Sequence, residues 1–284
     1  MGDRIGIATA KQASIPDTKL EQARKSIAAI EAMNGGRLGV VALDTGSGGR
    51  ISYRSTERFA MCSTHKLVSA AAILSRVDHG YLDLQQRVPF GQADLLEYAP
   101  VSRRNVEAGF MTLNDACAAA TAWSDNTAAN LLLGLIGGPA GWTQYVRSIG
   151  DETTRLDRTE PDLNSATIDD PRDTTTPNAM AENVIRLLLG GVLSDVSRER
   201  LKSWLLDSPI TASLLRAGLA KGWHVADKSG SGDNGTRNDI GIILPPDAAP
   251  IVAAVYYTQS PLKGASRDQV IADIGGIIVQ TFGV

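Results

Sequence analysis

The chain has 284 residues, a formal net charge of −3 and an apolar content of 43 %, enough for one large domain or two modest ones around a sizeable core. Both signs of charge are mixed along the sequence, which argues against the clustered Lys/Arg surface that a nucleic acid or an anionic membrane recruits; the pair Arg103-Arg104 reads as a solvated face. No apolar stretch approaches the roughly 20 residues of a membrane span, and two cysteines without CxxC and three histidines without HExxH suggest neither a disulfide scaffold nor a metal centre.

The start, MGDRIGIATAKQASIPD, lacks the apolar core of a secretory signal. The chain therefore reads either as a protein kept inside the cell or as a mature form with a new Met, with residues 1–15 as a flexible tail. DTKLEQARKSIAAIEAMN (17–34) sets Leu20, Ala23, Ile27, Ile30 and Met33 at helical spacing, with Asp17 as N-cap and Gly35-Gly36 as the stop. RLGVVALD (37–44) and RISYRS (50–55) read as a hairpin around TGSGG. From about 58 to 205 the chain is mostly helical: 113–123 and 126–136 are apolar helices broken at Ser124-Asp125, and 178–190 and 197–206 are two more. Between these pairs, residues 157–177 are polar, hold three prolines and lack a period; so long an irregular segment is uncommon in a compact domain and often functional. After 220, GWHVADKSGSG, NDIGIILPP and PIVAAVYYT read as three neighbouring strands, and 266–282 as a closing amphipathic helix. The order predicts an α/β (α+β) fold: an antiparallel five-stranded sheet flanked by the N- and C-terminal helices, from residues 16–57 with 206–284, and an all-helical part over 58–205 that includes an Ω-type loop at 155–177.

Four short motifs stand out. In MCSTHKLV (61–68), Ser63 and Lys66 are one helical turn apart, roughly 5–6 Å between Cβ atoms. A partly desolvated lysine can take a serine's proton, and free N–H groups at a helix start favour developing negative charge. The bland alternative is an N-cap serine followed by a chance lysine. Ser260-Pro261-Leu262-Lys263 repeats the spacing with no buried helix behind it and is set aside. Ser124-Asp125-Asn126 reads alone as a C-cap, a turn and an N-cap. Lys228-Ser229-Gly230 is an edge-strand charge or an anion grip; Gly230 and Gly232 permit close backbone approach, and Arg237 adds a second cation. Glu160 and Asn164 lie in the long loop, where Arg158 and Asp173 can clamp the ends and hold the two around one water.

Together, STHK, EYAPV (97–101), SDN, RLDRTEPDLN (155–164), RDTTTP (172–177) and KSGSGDNGTR (228–237) carry the SxxK, SDN and lysine-hydroxyl-glycine signature in order. From about Leu20 to the last helix the sequence resembles a class A serine β-lactamase. The resemblance implies hydrolysis of penicillins and cephalosporins through an acyl-enzyme on Ser63, with antibiotic resistance as the outcome and no cofactor or metal. It implies that Lys66 activates Ser63, and whether Lys66 or Glu160 acting through a water is the acylation base is disputed for the family. It assigns deacylation to Glu160 aided by Asn164, proton relay to Ser124, and the hold on Lys66 and the substrate amide to Asn126. The Ser63 and Ser231 N–H groups form the oxyanion hole. Lys228, Ser229 and Arg237 bind the substrate carboxylate on the strand that carries Gly230, and Tyr98 lines the entrance. The bond before Pro161 is expected to be cis. A small β-lactam is the expected partner, with no nucleic acid and no membrane, for a monomer that is periplasmic or secreted in its mature form.

Departures from the family pattern qualify this. His65 replaces an apolar aromatic and reads as a neutral packed ring. Ser229 keeps the hydroxyl of the commoner Thr, and Thr159 replaces a tryptophan, loosening the loop. Cys62 sits as in the carbapenemase branch, but its partner's place is Gly232, so Cys62 and Cys117 are expected to be buried free thiols. Ser231 and Asp233 resemble positions of enzymes active on oxyimino-cephalosporins. The alternatives are a penicillin-binding D,D-peptidase, which lacks a deacylating glutamate, an acylated β-lactam sensor, and a Ser-His-Asp esterase, for which no GxSxG is present.

Overall fold

The computed structural model describes residues 14–283. The tail expected at 1–15 lies outside them except for its last two residues, of which Ile15 already packs on the core.

In chain order the elements are α1 (Asp17–Asn34), β1 (Arg37–Asp44), β2 (Arg50–Tyr53), β3 (Phe59–Ala60), α2 (His65–Asp78), β4 (Arg87–Pro89), α3 (Ser102–Asn105), β5 (Phe110–Thr112), α4 (Leu113–Ala122), α5 (Asn126–Leu135), α6 (Gly138–Ser148), β6 (Thr174–Thr175), α7 (Pro177–Leu188), α8 (Asp195–Leu206), β7 (His224–Gly232), β8 (Thr236–Leu244), β9 (Ile251–Thr258) and α9 (Ala265–Phe282). Five strands form one antiparallel sheet in the order β2-β1-β9-β8-β7, as the sequence predicts. Asp17 is the first helical residue and not the cap, which is Pro16; its charge complements the positive end of the helix.

Period-two alternation divides the core. On β9, Ile251, Ala253, Val255 and Tyr257 join Leu38, Val40 and Ala42 of β1 against α1 and α9, whereas Val252, Ala254 and Tyr256 face the other helices. On that second face α2 is buried all round from His65 to Leu74, with α4, α5, α6, α7 and α8 packed about it. Side-chain caps start the helices: Thr112 for α4, Asp125 for α5, Thr176 for α7 and Ser194 for α8 each accept an orphan N–H. Helix α6, which the sequence reading passed over, begins with Pro139 in its first turn and needs Gly141 where a Cβ would collide with the Ile136 carbonyl.

The loop at 155–177 is pinned at both ends. Asp173 is fully buried; its Oδ1 accepts the N–H groups of Asp157 (2.7 Å) and Arg158 (2.9 Å), its Oδ2 accepts Arg158 Nε (2.6 Å), and its carbonyl oxygen accepts Met61 N (2.9 Å). The clamp read from the sequence is present and also ties the loop to the segment before Ser63. Replacing Asp173 by Ala removes the close partner of a half-buried guanidinium and of two N–H groups, and the expected loss is about 2–4 kcal/mol by urea unfolding, with turnover falling more than substrate binding.

Candidate active site

Ser63 lies in a single tight turn, Cys62–Thr64, immediately ahead of α2 rather than within it. Asn238 on β8 holds this turn from behind, donating Nδ2–H to the carbonyl oxygens of Ala60 (2.9 Å) and Met61 (3.1 Å). The first turn of α2 then projects Lys66 back beneath Ser63, where its side chain is completely enclosed. Lys66 Nζ lies 3.0 Å from Ser63 Oγ, 2.8 Å from Glu160 Oε1, 2.6 Å from Asn126 Oδ1 and 2.8 Å from the Ser124 carbonyl oxygen. A buried ammonium requires such acceptors. Burial pushes the Lys66 pKa below that of a free lysine even so, with Glu160 pulling the other way. Burial alone would raise Glu160, but the Lys66 charge and then His65 outweigh it and hold its carboxyl below the usual carboxylate range. The pair is therefore an anion beside a lysine that gives up its proton readily.

The long loop delivers Glu160. Its Oε2 accepts the Asn164 amide, and the Glu160-Pro161 bond is cis, as expected from the resemblance. Ser63 Oγ is 3.4 Å from Oε1. Asn130, one turn after Asn126 on α5, grips the Glu160 backbone from both sides, Nδ2 to O and N to Oδ1, each at 2.9 Å. The sequence reading missed Asn130; two asparagines four apart on an otherwise apolar helix were the available signal. Ser124 has a left-handed backbone, φ 58°, and sits between the two lysines, 3.4 Å from Lys66 Nζ and 3.1 Å from Lys228 Nζ. Asp125 accepts from Val101 N, Ser102 N, Ser102 Oγ and Ala128 N. It thereby fixes the start of α5 and the Tyr98 segment, whose carbonyl oxygen accepts Asn126 N. The turn read from SDN is present, but the N-cap is Asp125 and not Asn126, which is the first residue of α5, and α4 is capped by Trp123 rather than Ser124; the fold makes the triplet part of the site as well.

On edge strand β7, Lys228 is buried and not a solvated edge charge. Its Nζ donates to Ser124 Oγ and to the Ser229 carbonyl oxygen at 2.8 Å. Burial and then the nearby Lys66 charge lower its pKa to about 7. If this ammonium binds an anionic substrate, kcat/KM falls as pH rises through about 7, because the free protein sheds that charge, and Lys228→Arg moves the fall above about pH 9. A pH series of kcat/KM decides this.

A cavity of about 420 Å³ opens over these groups, lined by Ser63, Tyr98, Ser124, Asn126, Asn164, Ile210, Ser229, Ser231 and Arg237. Ile210 carried no sequence signal. Arg237 is held by Asp268 of α9 (2.7 Å) and donates to Ser231 Oγ (2.7 Å). The glycines on β7 allow close approach, as their spacing suggested: a Cβ at Gly230 would lie 2.8 Å from the Met61 carbonyl oxygen, and one at Gly232 would lie 2.6 Å from Cys62 Sγ and 2.5 Å from the Asn164 carbonyl oxygen. Cys62 and Cys117 are both buried and unpaired, and burial pushes both thiols up. His65 is enclosed, yet more than packed: its Nε2 is 3.5 Å from Glu160 Oε1.

The family model described as the β-lactamase enzyme family matches residues 22–282. β-Lactamase CTX-M-97 of Escherichia coli is 46 % identical over 259 residues, 91 % of this chain and 89 % of that protein. β-Lactamase L2 of Stenotrophomonas maltophilia is 46 % identical over 272 residues, 95 % of this chain and 89 % of that protein. Among solved structures, the ancestral (GNCA) class A β-lactamase superposes with a TM-score of 0.90 at 52 % identity, covering 92 % of this chain and all (100 %) of that one.

Proposed function

The chain belongs to the class A family of serine β-lactamases, hydrolases that open the β-lactam ring, and on that premise we propose that Ser63 is its nucleophile and Glu160 the base that frees it. Ser63 Oγ attacks the ring carbonyl carbon while Lys66, directly or with Glu160 through a water, takes the hydroxyl proton. The oxyanion forms against the N–H groups of Ser63 and Ser231. The C–N bond breaks as Ser124 passes a proton to the leaving nitrogen, leaving an ester on Ser63. Glu160 then takes a proton from a water held with Asn164, the hydroxide adds to the ester carbonyl, and Ser63 departs with a proton. Lys228, Ser229 and Arg237 grip the substrate carboxylate beside Gly230, Asn126 its side-chain amide, and Tyr98 borders the entrance.

The observation that carries this reading is the position of Glu160: Lys66 Nζ bridges Ser63 Oγ (3.0 Å) and Glu160 Oε1 (2.8 Å) inside the protein. A serine that is only acylated has no need of a second, enclosed carboxylate at that distance. The same reading places the cleft between residues 16–57 with 206–284 on one side and 58–205, with its Ω-type loop, on the other. The cavity lining supports it, since residues of β7 and β8 face residues around α5 and the loop. A monomer acting in the periplasm or after secretion belongs to this reading on the strength of the family alone. No helix among the described residues is long and apolar enough to cross a membrane.

Mixing the protein with nitrocefin tests the proposal. Sustained colour beyond one equivalent is the expected result; a single stoichiometric burst would instead mark a D,D-peptidase or a sensor, and activity confined to p-nitrophenyl esters would mark an esterase.

A further inference from the structure

The mechanism leaves the His65 ring, which lies against Glu160, unused. The His65 ring is fully enclosed at the start of α2, and its Nε2 has no hydrogen-bond partner. The atom it faces is Glu160 Oε1 at 3.5 Å, the same oxygen that Lys66 holds at 2.8 Å. Nδ1, on the other side of the ring, is 3.2 Å from Ser69 Oγ. An unpartnered ring nitrogen in an enclosed site is costly.

We propose that His65 is a positioning residue for Glu160: a neutral imidazole, protonated on Nε2, that serves as a further donor to the carboxylate beside Lys66 and Asn164.

The two neutral tautomers are not equivalent here. With the proton on Nδ1, the ring donates to Ser69 and turns a bare lone pair toward a carboxylate. With the proton on Nε2, the Ser69 hydroxyl turns to donate to Nδ1, and N–H faces the anion. That turn removes the Ser69 Oγ bond to the His65 carbonyl oxygen (3.1 Å), but the same oxygen accepts Trp142 Nε1–H (3.3 Å) and is not orphaned. The second tautomer thus gives each ring nitrogen a complementary neighbour. The charged and titratable groups around the pair are Lys66 on α2, Cys62 in the turn before it, Asp125 ahead of α5 and Lys228 on β7. Burial lowers the imidazole pKa, with Glu160 opposing, so the ring stays neutral. At 3.5 Å the contact is weak beside the Lys66 ammonium. It weighs more once Lys66 has given up its proton and faces Oε1 as an amine rather than as an ammonium.

The consequence is a base that stays ionised at lower pH, because a donor to the anion lowers a carboxyl pKa and its removal raises it. The inference rests on Glu160 being the deacylating base. Two measurements test it. NMR of the ring nitrogens in histidine-labelled protein, with His79 and His224 identified as the exposed rings, is expected to show His65 protonated at Nε2 and bare at Nδ1; the reverse would overturn the inference without any variant having to fold. In His65→Phe, the ratio of penicillin turnover at the acidic pH that halves the parent's to that at about pH 7 is expected to fall roughly 2- to 5-fold relative to the parent, as the acid limb rises by about 0.5–1 pH unit. An unchanged ratio would overturn it. If Glu160→Gln leaves turnover intact, it is the reading of Glu160 that fails; if that variant stalls while the His65→Phe ratio is unchanged, only the role of His65 fails.

Discussion

Replacing Glu160 by Gln leaves a protein that opens a β-lactam once and stalls, with steady-state turnover down about 10²–10⁴-fold, the range a general base supplies. Glutamine keeps the shape of the side chain and one oxygen that can accept from Lys66, and Asn164, whose Oδ1 has no partner in the parent, can flip its amide to accept from the new N–H group, so the pocket survives. Its amide cannot take a proton from water. Removing the carboxylate also removes the main influence that raises the Lys66 pKa, so Lys66 becomes more easily neutral, and a neutral lysine 3.0 Å from Ser63 Oγ is a competent base for the first step. The expected signature is a burst close to one equivalent followed by near silence. A variant that fails to acylate at all would assign Glu160 to the first step.

Lys66→Met has the second large effect, and it acts on activity and on stability. Acylation is expected to fall by about 10²–10⁴-fold with the loss of the base. The stability effect depends on pH in a direction that can be worked out. In the parent, Glu160 titrates below its ordinary value because of the Lys66 charge, so its contribution is present above the unfolded-state pKa and is lost as pH falls. Without Lys66, burial dominates and raises the carboxyl, so Glu160 then favours the folded state only at pH values low enough to keep it protonated. At neutral pH the variant is expected to lose about 3–5 kcal/mol, as when one member of a buried pair is removed. The gap to the parent should narrow as pH is lowered toward about 5. Urea midpoints at several pH values measure it; a gap independent of pH would show that the two groups are not coupled.

Much of this molecule is legible in its residues, for reasons that differ by region. The sheet announces itself because β1 and β9 alternate between two cores, and α1 and α9 because their apolar stripes have helical period. The run from Leu67 to Leu74, polar only at Ser69, reads as a helix with no outer face, and α2 is that helix. Helix α6 is hidden by Gly137, Gly138, Pro139 and Gly141, which look like breakers; Pro139 sits in the first turn, where its missing N–H costs nothing, and Gly141 is there for clearance. The two-residue pair β3 and β6 has no pattern to read, being made where the pinned loop returns to the segment before Ser63.

In the site, the motif residues were visible because each must bring a particular functional group, and chemistry leaves few substitutes. The supports were not. Asn130 and Ile210 serve only through where the fold puts them, and an asparagine that holds a backbone looks in sequence like any asparagine. His65 shows the same limit from the other side. A lone histidine in an apolar helix is ordinarily part of the packing, and nothing local reveals that a loop from far along the chain brings a carboxylate against its ring.

The most direct test is mass spectrometry of the protein quenched during reaction with benzylpenicillin, run on the parent and on Glu160→Gln. The expected result is one adduct of the opened ring on the peptide that contains Ser63, fleeting in the parent and lasting in the variant. An adduct on any other residue, or a variant that has lost turnover yet never accumulates one, would contradict the account.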